Sequence, residues 1–165
     1  MAVETRFCGT GAGTSWTTPG NITADDNVDA FYAGAISVFP ALKATNFGFT
    51  IPAGATIDNL SAIMGRYAIT GIVIDNSVRW TKDNVVTVGA DIDAGATWNA
   101  GTEQENTLSG LGGSSFTPAE INASTFGVWI VAEGTDIDAE ADVDYVKVTV
   151  TYTAAVTWIP KVMMF

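Results

Sequence analysis

Apolar and polar residues alternate with a period of two along much of this chain, and the alternation is sharpest near its end. In YVKVTVTYT (145–153), Val146, Val148, Val150 and Tyr152 fall on one face of an extended strand, and Lys147, Thr149 and Thr151 on the other. Just upstream the parity reverses. In DIDAEADVD (136–144) the even positions Asp136, Asp138, Glu140, Asp142 and Asp144 are acidic, with Ile137, Ala139, Ala141 and Val143 between them. Slipping by one residue carries every side chain to the opposite face, so the pattern predicts a bulge or turn near 144–145, or an acidic stretch lying partly in a loop.

Other short runs rich in Val, Ile, Thr and aromatics, bounded by Gly, Asn, Asp and Ser, predict strands over 34–39, 44–51, 58–69, 71–79, 85–92, 126–133 and 141–153. The runs 126–133 and 141–153 read as a hairpin with GTDIDA about its tip. IPAGATI (51–57) offers Pro52 and Gly54 for a turn before re-entry at Ile57. TPAE (117–120) reads as a capping box, with Thr117 at N-cap, Pro118 at N1 and Glu120 at N3, opening one helical turn through Asn122. No longer helix is predicted. The stretch 93–116, rich in Gly, Ser, Thr and Asn, reads as a long exposed connection of the kind that often makes contacts. The expected fold is all-β, an antiparallel jelly-roll-like β-sandwich with one short helical turn near 118–122. Its expected division is a flexible N-terminal arm (1–14), a sandwich domain (15–153) and an apolar C-terminal arm (154–165).

That last segment sharpens the picture. AAVTWIPKVMMF carries Val156, Trp158, Ile159, Val162, Met163, Met164 and Phe165. Burying seven such side chains represents on the order of 10–20 kcal/mol of gross transfer energy. Leaving them in water invites association, so these seven residues are the expected assembly contact.

Composition points the same way. Charged residues are 15% of the chain and hydrophobic ones 47%, fewer charges than a solitary domain normally displays. The 165 residues suit a single domain with a real core. With 7 basic and 18 acidic residues the net charge is -11, a field that repels nucleic acid and anionic membrane surfaces. The most apolar run, AIMGRYAITGIVI, is interrupted by Arg66 and too short for a membrane span. The opening MAVETRFCGTGAG lacks the basic and apolar regions of a secretory signal, so folding in a cytoplasm is expected. On that expectation the glycosylation-like triplets at Asn21, Asn59 and Asn122 are chance matches.

Candidate chemistry is sparse. With no histidine and one cysteine, Cys8, the chain holds no His-based triad, no His-ligated zinc and no thiolate cluster. GTGAGT (9–14) does not sit after a predicted strand and reads as part of the arm rather than a phosphate loop. The acidic ladder is the strongest polar feature, since like charges about 6–7 Å apart along one strand face repel. A Ca²⁺ ion held by Asp138, Asp142 and Asp144, with Asp25, Asp26 or Asp29 from ADDNVDA, would relieve that. The expected reading is nevertheless a solvated acidic edge that resists strand addition, with no metal and no cofactor, and the Ca²⁺ site is the alternative to it. A carboxylate pair for glycoside hydrolysis is too common in an acidic protein to indicate an enzyme, and none is expected. Of the five tryptophans, Trp80 and Trp98 flank loops and are the candidates for stacking on a sugar, against core packing.

Four segments carry a resemblance: SWTTPGNITADDNVDA (15–30), LKATNFGFTIPAGATIDNL (42–60), FTPAEINASTFGVWI (116–130) and VDYVKVTVTY (143–152). Their order and spacing resemble a β-sandwich domain of tailed-bacteriophage virion proteins and prophage-encoded structural proteins. Residues 66–115 and the tail 154–165 lie outside the matched pattern. The resemblance implies a virion structural protein made in the cytoplasm of a bacterial host. Within that setting we expect a capsid decoration (cement) protein that forms a homo-oligomer, by analogy a trimer, and binds the major capsid protein lattice. The alternative is a receptor- or carbohydrate-binding module of a tail fibre or spike.

Overall fold

The computed structural model describes residues 1–34, 37–92, 95–112 and 114–155. Among these the strands run β1 (Ala2–Phe7), β2 (Thr10–Ala12), β3 (Ala30–Gly34), β4 (Ser37–Val38), β5 (Leu42–Thr45), β6 (Thr56–Thr70), β7 (Val73–Thr81), β8 (Thr87–Val88), β9 (Gln104–Ser109), β10 (Gly127–Gly134) and β11 (Ala139–Thr153). A 3₁₀ turn spans Pro19–Ile22, and a short helix α1 spans Pro118–Asn122. One sheet has the order β1-β11-β6-β9, with β3 also pairing β11. The other has the order β2-β5-β10-β7-β8, with β4 also pairing β10. All these pairings are antiparallel, and the two sheets pack face to face as a jelly-roll-like sandwich.

The period-two pattern fills the space between the sheets. Leu60, Ala62 and Met64 of β6 and Val146, Val148 and Val150 of β11 face Leu42 and Ala44 of β5, Val78 and Trp80 of β7, and Val128, Ile130 and Ala132 of β10. A layer of rings closes one end, where Trp80 stacks on Phe126 at 5.9 Å and Phe49 meets Phe126 at 6.3 Å. The parity reversal in β11 is a bulge. Val143 pairs with Arg66 and Tyr145 with Gly65, leaving Asp144 as the extra residue. Ala139, Ala141 and Val143 therefore stay in the core before it, and Val146, Val148 and Val150 after it.

The capping box is present as expected: Thr117 Oγ1 accepts from the Glu120 amide, and Glu120 Oε2 accepts from the Thr117 amide. The turn at Pro52–Ala55 is closed by the Ala55 amide donating to Pro52 O, with Gly54 at φ 81°.

Five expectations are corrected. Residues 1–14 are not a loose arm: β1 pairs with β11 and β2 with β5, so the start of the chain joins both sheets. GTGAGT accordingly does follow a strand, and no helix opens after it. Of the predicted 44–51 strand only Ala44 and Thr45, the end of β5, are in a strand, because Asn46 (φ 60°) and Gly48 (φ 67°) turn the backbone while Phe47, Phe49 and Ile51 still reach the core. The predicted 126–153 hairpin is a crossover instead, since β10 and β11 belong to opposite sheets and bury their apolar faces against each other. The stretch 93–116 contains β9, paired with β6. The expected contact residues Val156, Trp158, Ile159, Val162, Met163, Met164 and Phe165 lie outside the described residues.

Candidate functional site

The β11 bulge turns Asp144 away from the valine core. The segment Thr23–Asp29 folds over this point: Thr23 bridges to Tyr145, and Asp144 Oδ1 accepts from the amides of Val28 (3.1 Å) and Asp26 (3.4 Å). Asn27 at φ 59° takes the left-handed conformation that Asn tolerates, which lets two amides converge on one carboxylate. From the other side come residues 101–103, leading into β9. Carboxylate oxygens of Asp25, Glu103 and Asp144 lie within 4.8 Å of one another. Gly65 makes room for them, because a Cβ there would stand 2.5 Å from Glu103 Oε1 and 2.5 Å from a Tyr145 ring carbon.

Asp144 is fully buried, and its Oδ2 has no hydrogen-bond partner. Burial, together with Asp144, Asp25 and Asp29, holds the Glu103 carboxyl above the usual carboxylate range. Glu105, two residues on, behaves oppositely: it accepts from Lys147 Nζ (2.9 Å) and Tyr145 Oη (2.8 Å), and these bonds hold it below that range. Next to the carboxylates lies a cleft of about 400 Å³ lined by Asn27, Asp29, Tyr67, Gly101, Thr102 and Glu103. Tyr67 Oη donates to Asp29 Oδ2 at 2.8 Å, fixing the aromatic wall. Asp142, across the ladder from Tyr67, is pushed up to about 7 by burial and by Glu140 and Asp29.

This arrangement suits holding a hard cation, or a polar ligand beside a ring. It does not suit glycoside hydrolysis, which needs both carboxylates at the substrate, because Asp144 is sealed under the Thr23–Asp29 segment.

The sugar-stacking candidates are corrected. Trp80 has 0% exposure and donates from Nε1 to Gly110 O, and Trp98 has 3% exposure and donates to Asp75 Oδ1 at 2.9 Å, so neither offers a face to solvent. Trp129 lies on the outer side of β10 beneath Lys43 Nζ, 3.7 Å from its ring centre. Of the suggested cation ligands, Asp144 and Asp25 do converge, whereas Asp138 is exposed on the β10–β11 crossover and Asp142 faces Asp29 and Glu140. Glu103 escaped the sequence reading because it lies just before β9, a polar edge strand without hydrophobic alternation. Gly65 inside a strand was its available signal, since such glycines mark close approach.

No family model matches the chain, and no curated protein matches it. Among solved structures it is similar to the CBM22-1 xylan-binding domain of Paenibacillus barcinonensis Xyn10C, with 12% identity, a TM-score of 0.50, and coverage of 92% of this chain and 95% of that one. A CBM4 structure gives 11% identity, a TM-score of 0.48, and coverage of 89% and 94%. A chain of infectious bursal disease virus, Gx strain, gives 12% identity, a TM-score of 0.25, and coverage of 79% and 38%. At these identities the likeness shows the β-sandwich fold and nothing finer.

Proposed function

We propose that the chain is a non-catalytic virion structural protein, a capsid decoration protein that self-associates, as a trimer, and docks on the major capsid protein lattice. The observation carrying this reading is where the four virion-like segments meet. Asn122 of the TPA-IN segment clamps Ile51 of the NFGF-IP segment with two hydrogen bonds, 2.8 and 2.9 Å, and the Phe49 and Phe126 rings from the same two segments touch. Asp144 of the closing strand holds the acidic N-terminal segment through Asp26 and Val28. The resemblance is therefore a scaffold signature, which supports a structural role with partner binding on variable surfaces. The low charge fraction and the apolar 154–165 segment support assembly. On this reading the protein is made in a bacterial host's cytoplasm and resides in the virion.

Sedimentation with purified particles tests it. The protein should pellet with heads and raise their melting temperature, and deletion of 154–165 should leave a soluble monomer. Pelleting with tails only, or an unchanged oligomer after the deletion, would count against it.

The cleft beside Tyr67 favours a second reading, a saccharide-binding module, for which the xylan-binding neighbour is a structural parallel. Aromatic rings flanked by Asn, Asp and Thr suit sugars. Glycan-array binding lost on Tyr67→Ala would support it, and an array without binders would remove it.

A further inference from the structure

We propose that Asp25, Glu103 and Asp144 form a Ca²⁺ site that pins the Thr23–Asp29 segment and the residues leading into β9 onto the β11 bulge. Three carboxylates from three separate parts of the chain bring their oxygens within 4.8 Å, although like charges so close repel. The ion pairs of Arg6, Arg66, Arg79, Lys82 and Lys147 go to other carboxylates: Glu4, Asp75, Asp91, Glu120 and Glu105.

A second, independent observation points to a ligand. Asp144 has 0% exposure, yet only its Oδ1 is engaged, by the Asp26 and Val28 amides. Its Oδ2 is buried with no partner. A buried ionised oxygen without a donor is costly, and a cation removes that cost. Glu103 is half-buried and Asp25 exposed, so a cation could enter from solvent and keep part of its water shell.

The donor set selects the metal. All three side chains offer hard oxygen, and with no histidine in the chain and Cys8 buried against Ile22 O there is no soft or nitrogen ligand for zinc. Ca²⁺ accepts irregular oxygen shells and mixes carboxylates with backbone carbonyls and water, whereas Mg²⁺ demands near-octahedral geometry and sheds water reluctantly. An irregular site built on a bulge and a left-handed Asn turn fits Ca²⁺. Because Glu103 also lines the cleft, the ion would set the position of one cleft wall.

The competing account is a proton shared between Glu103 and Asp144, for which the raised Glu103 carboxyl also argues. Calorimetric titration of the EDTA-treated, dialysed full chain with CaCl₂, paired with thermal melts, separates the two. We expect saturable binding, a melting temperature that climbs with the logarithm of free Ca²⁺ above saturation, and a smaller response to equal MgCl₂. Glu103→Gln and Asp25→Asn, both at accessible positions, should fold and weaken Ca²⁺ by about tenfold or more. In amide spectra of the wild-type chain the Asp26 and Val28 signals should shift on Ca²⁺ addition. Neither heat nor a melting shift up to about 10 mM Ca²⁺, beyond the weakest natural sites, would overturn the site. So would an equal response to Mg²⁺, undiminished binding in both variants, or amide shifts confined to the 135–138 crossover. These measurements need no capsid, so failure here leaves the virion reading standing, and failure to bind heads leaves the ion site standing.

Discussion

Arg66 of β6 and Asp75 of β7 form an ion pair inside the sandwich, each 2% exposed, and so tie one sheet to the other. Trp98 completes the group: its Nε1 donates to Asp75 Oδ1 at 2.9 Å, and its ring lies 4.8 Å from the Arg66 guanidinium carbon. The charge that interrupts the most apolar run of the sequence is thus an inter-sheet cross-link.

Removing one partner strands the other charge in the core. Arg66→Met should destabilise the fold by about 3–5 kcal/mol, as read by urea denaturation. The double variant Arg66→Met/Asp75→Asn should recover a good part of the loss, because the amide oxygen still accepts from Trp98 without carrying charge. Equal stability of the single and double variants would show that the pair is not electrostatically coupled.

Asn122 clamps Ile51 through both its amide groups, joining α1 to the loop before β6. Asn122→Ala should cost about 1 kcal/mol, since the Ile51 backbone loses two partners but Asn122 is exposed and water can replace part of what they supplied. Asn122→Asp keeps the acceptor but sets a carboxylate oxygen against Ile51 O, where Nδ2 donated at 2.9 Å, so it should cost at least as much as Ala. A thermal melt series over the three proteins checks the order.

Glu120 holds the start of α1. Its carboxylate accepts from the Thr117 amide and pairs with Lys82 Nζ at 3.0 Å, and the Thr117 bond first, then Lys82, keeps its carboxyl below the ordinary 4.5. The folded state therefore binds its proton less readily than the unfolded chain. The stabilisation is complete above the ordinary value and is lost as pH falls through the lowered one. Glu120→Gln should flatten the acid limb of the stability profile and leave its slope above pH ~6 unchanged. A profile of identical shape in both proteins would remove Glu120 from the acid response.

Cys8 lies under the 3₁₀ turn with Sγ donating to Ile22 O, and burial pushes its thiol up to about 12. The thiolate is the reactive form, so the native protein should resist thiol reagents at pH 8 and react fully once unfolded in guanidinium. Rapid labelling of the native protein would mean that β1 and the 3₁₀ turn open readily.

Local chemistry was legible in the residues themselves. The capping box at Thr117–Glu120, the Pro52–Gly54 turn and the two-sided alternation of 145–153 each depend on neighbours within a few positions, where side-chain spacing and backbone preference act directly. The parity switch at Asp144 was equally readable, because a period-two pattern cannot reverse without an inserted residue. What pattern could not assign was partnership. Whether 126–133 and 141–153 pair edge to edge or pack face to face depends on which surface each buries, and both choices present the same alternation. Whether 1–14 floats or pairs depends on β11 and β5 offering open edges, which no local signal records. The burial of Trp80 and Trp98, and the meeting of Asp25, Glu103 and Asp144 from positions far apart in the chain, are likewise decided only by the closing of two sheets upon each other. Short-range stereochemistry writes strands, turns and caps into the sequence. Long-range packing, which trades one buried surface against another across the whole molecule, chooses the site.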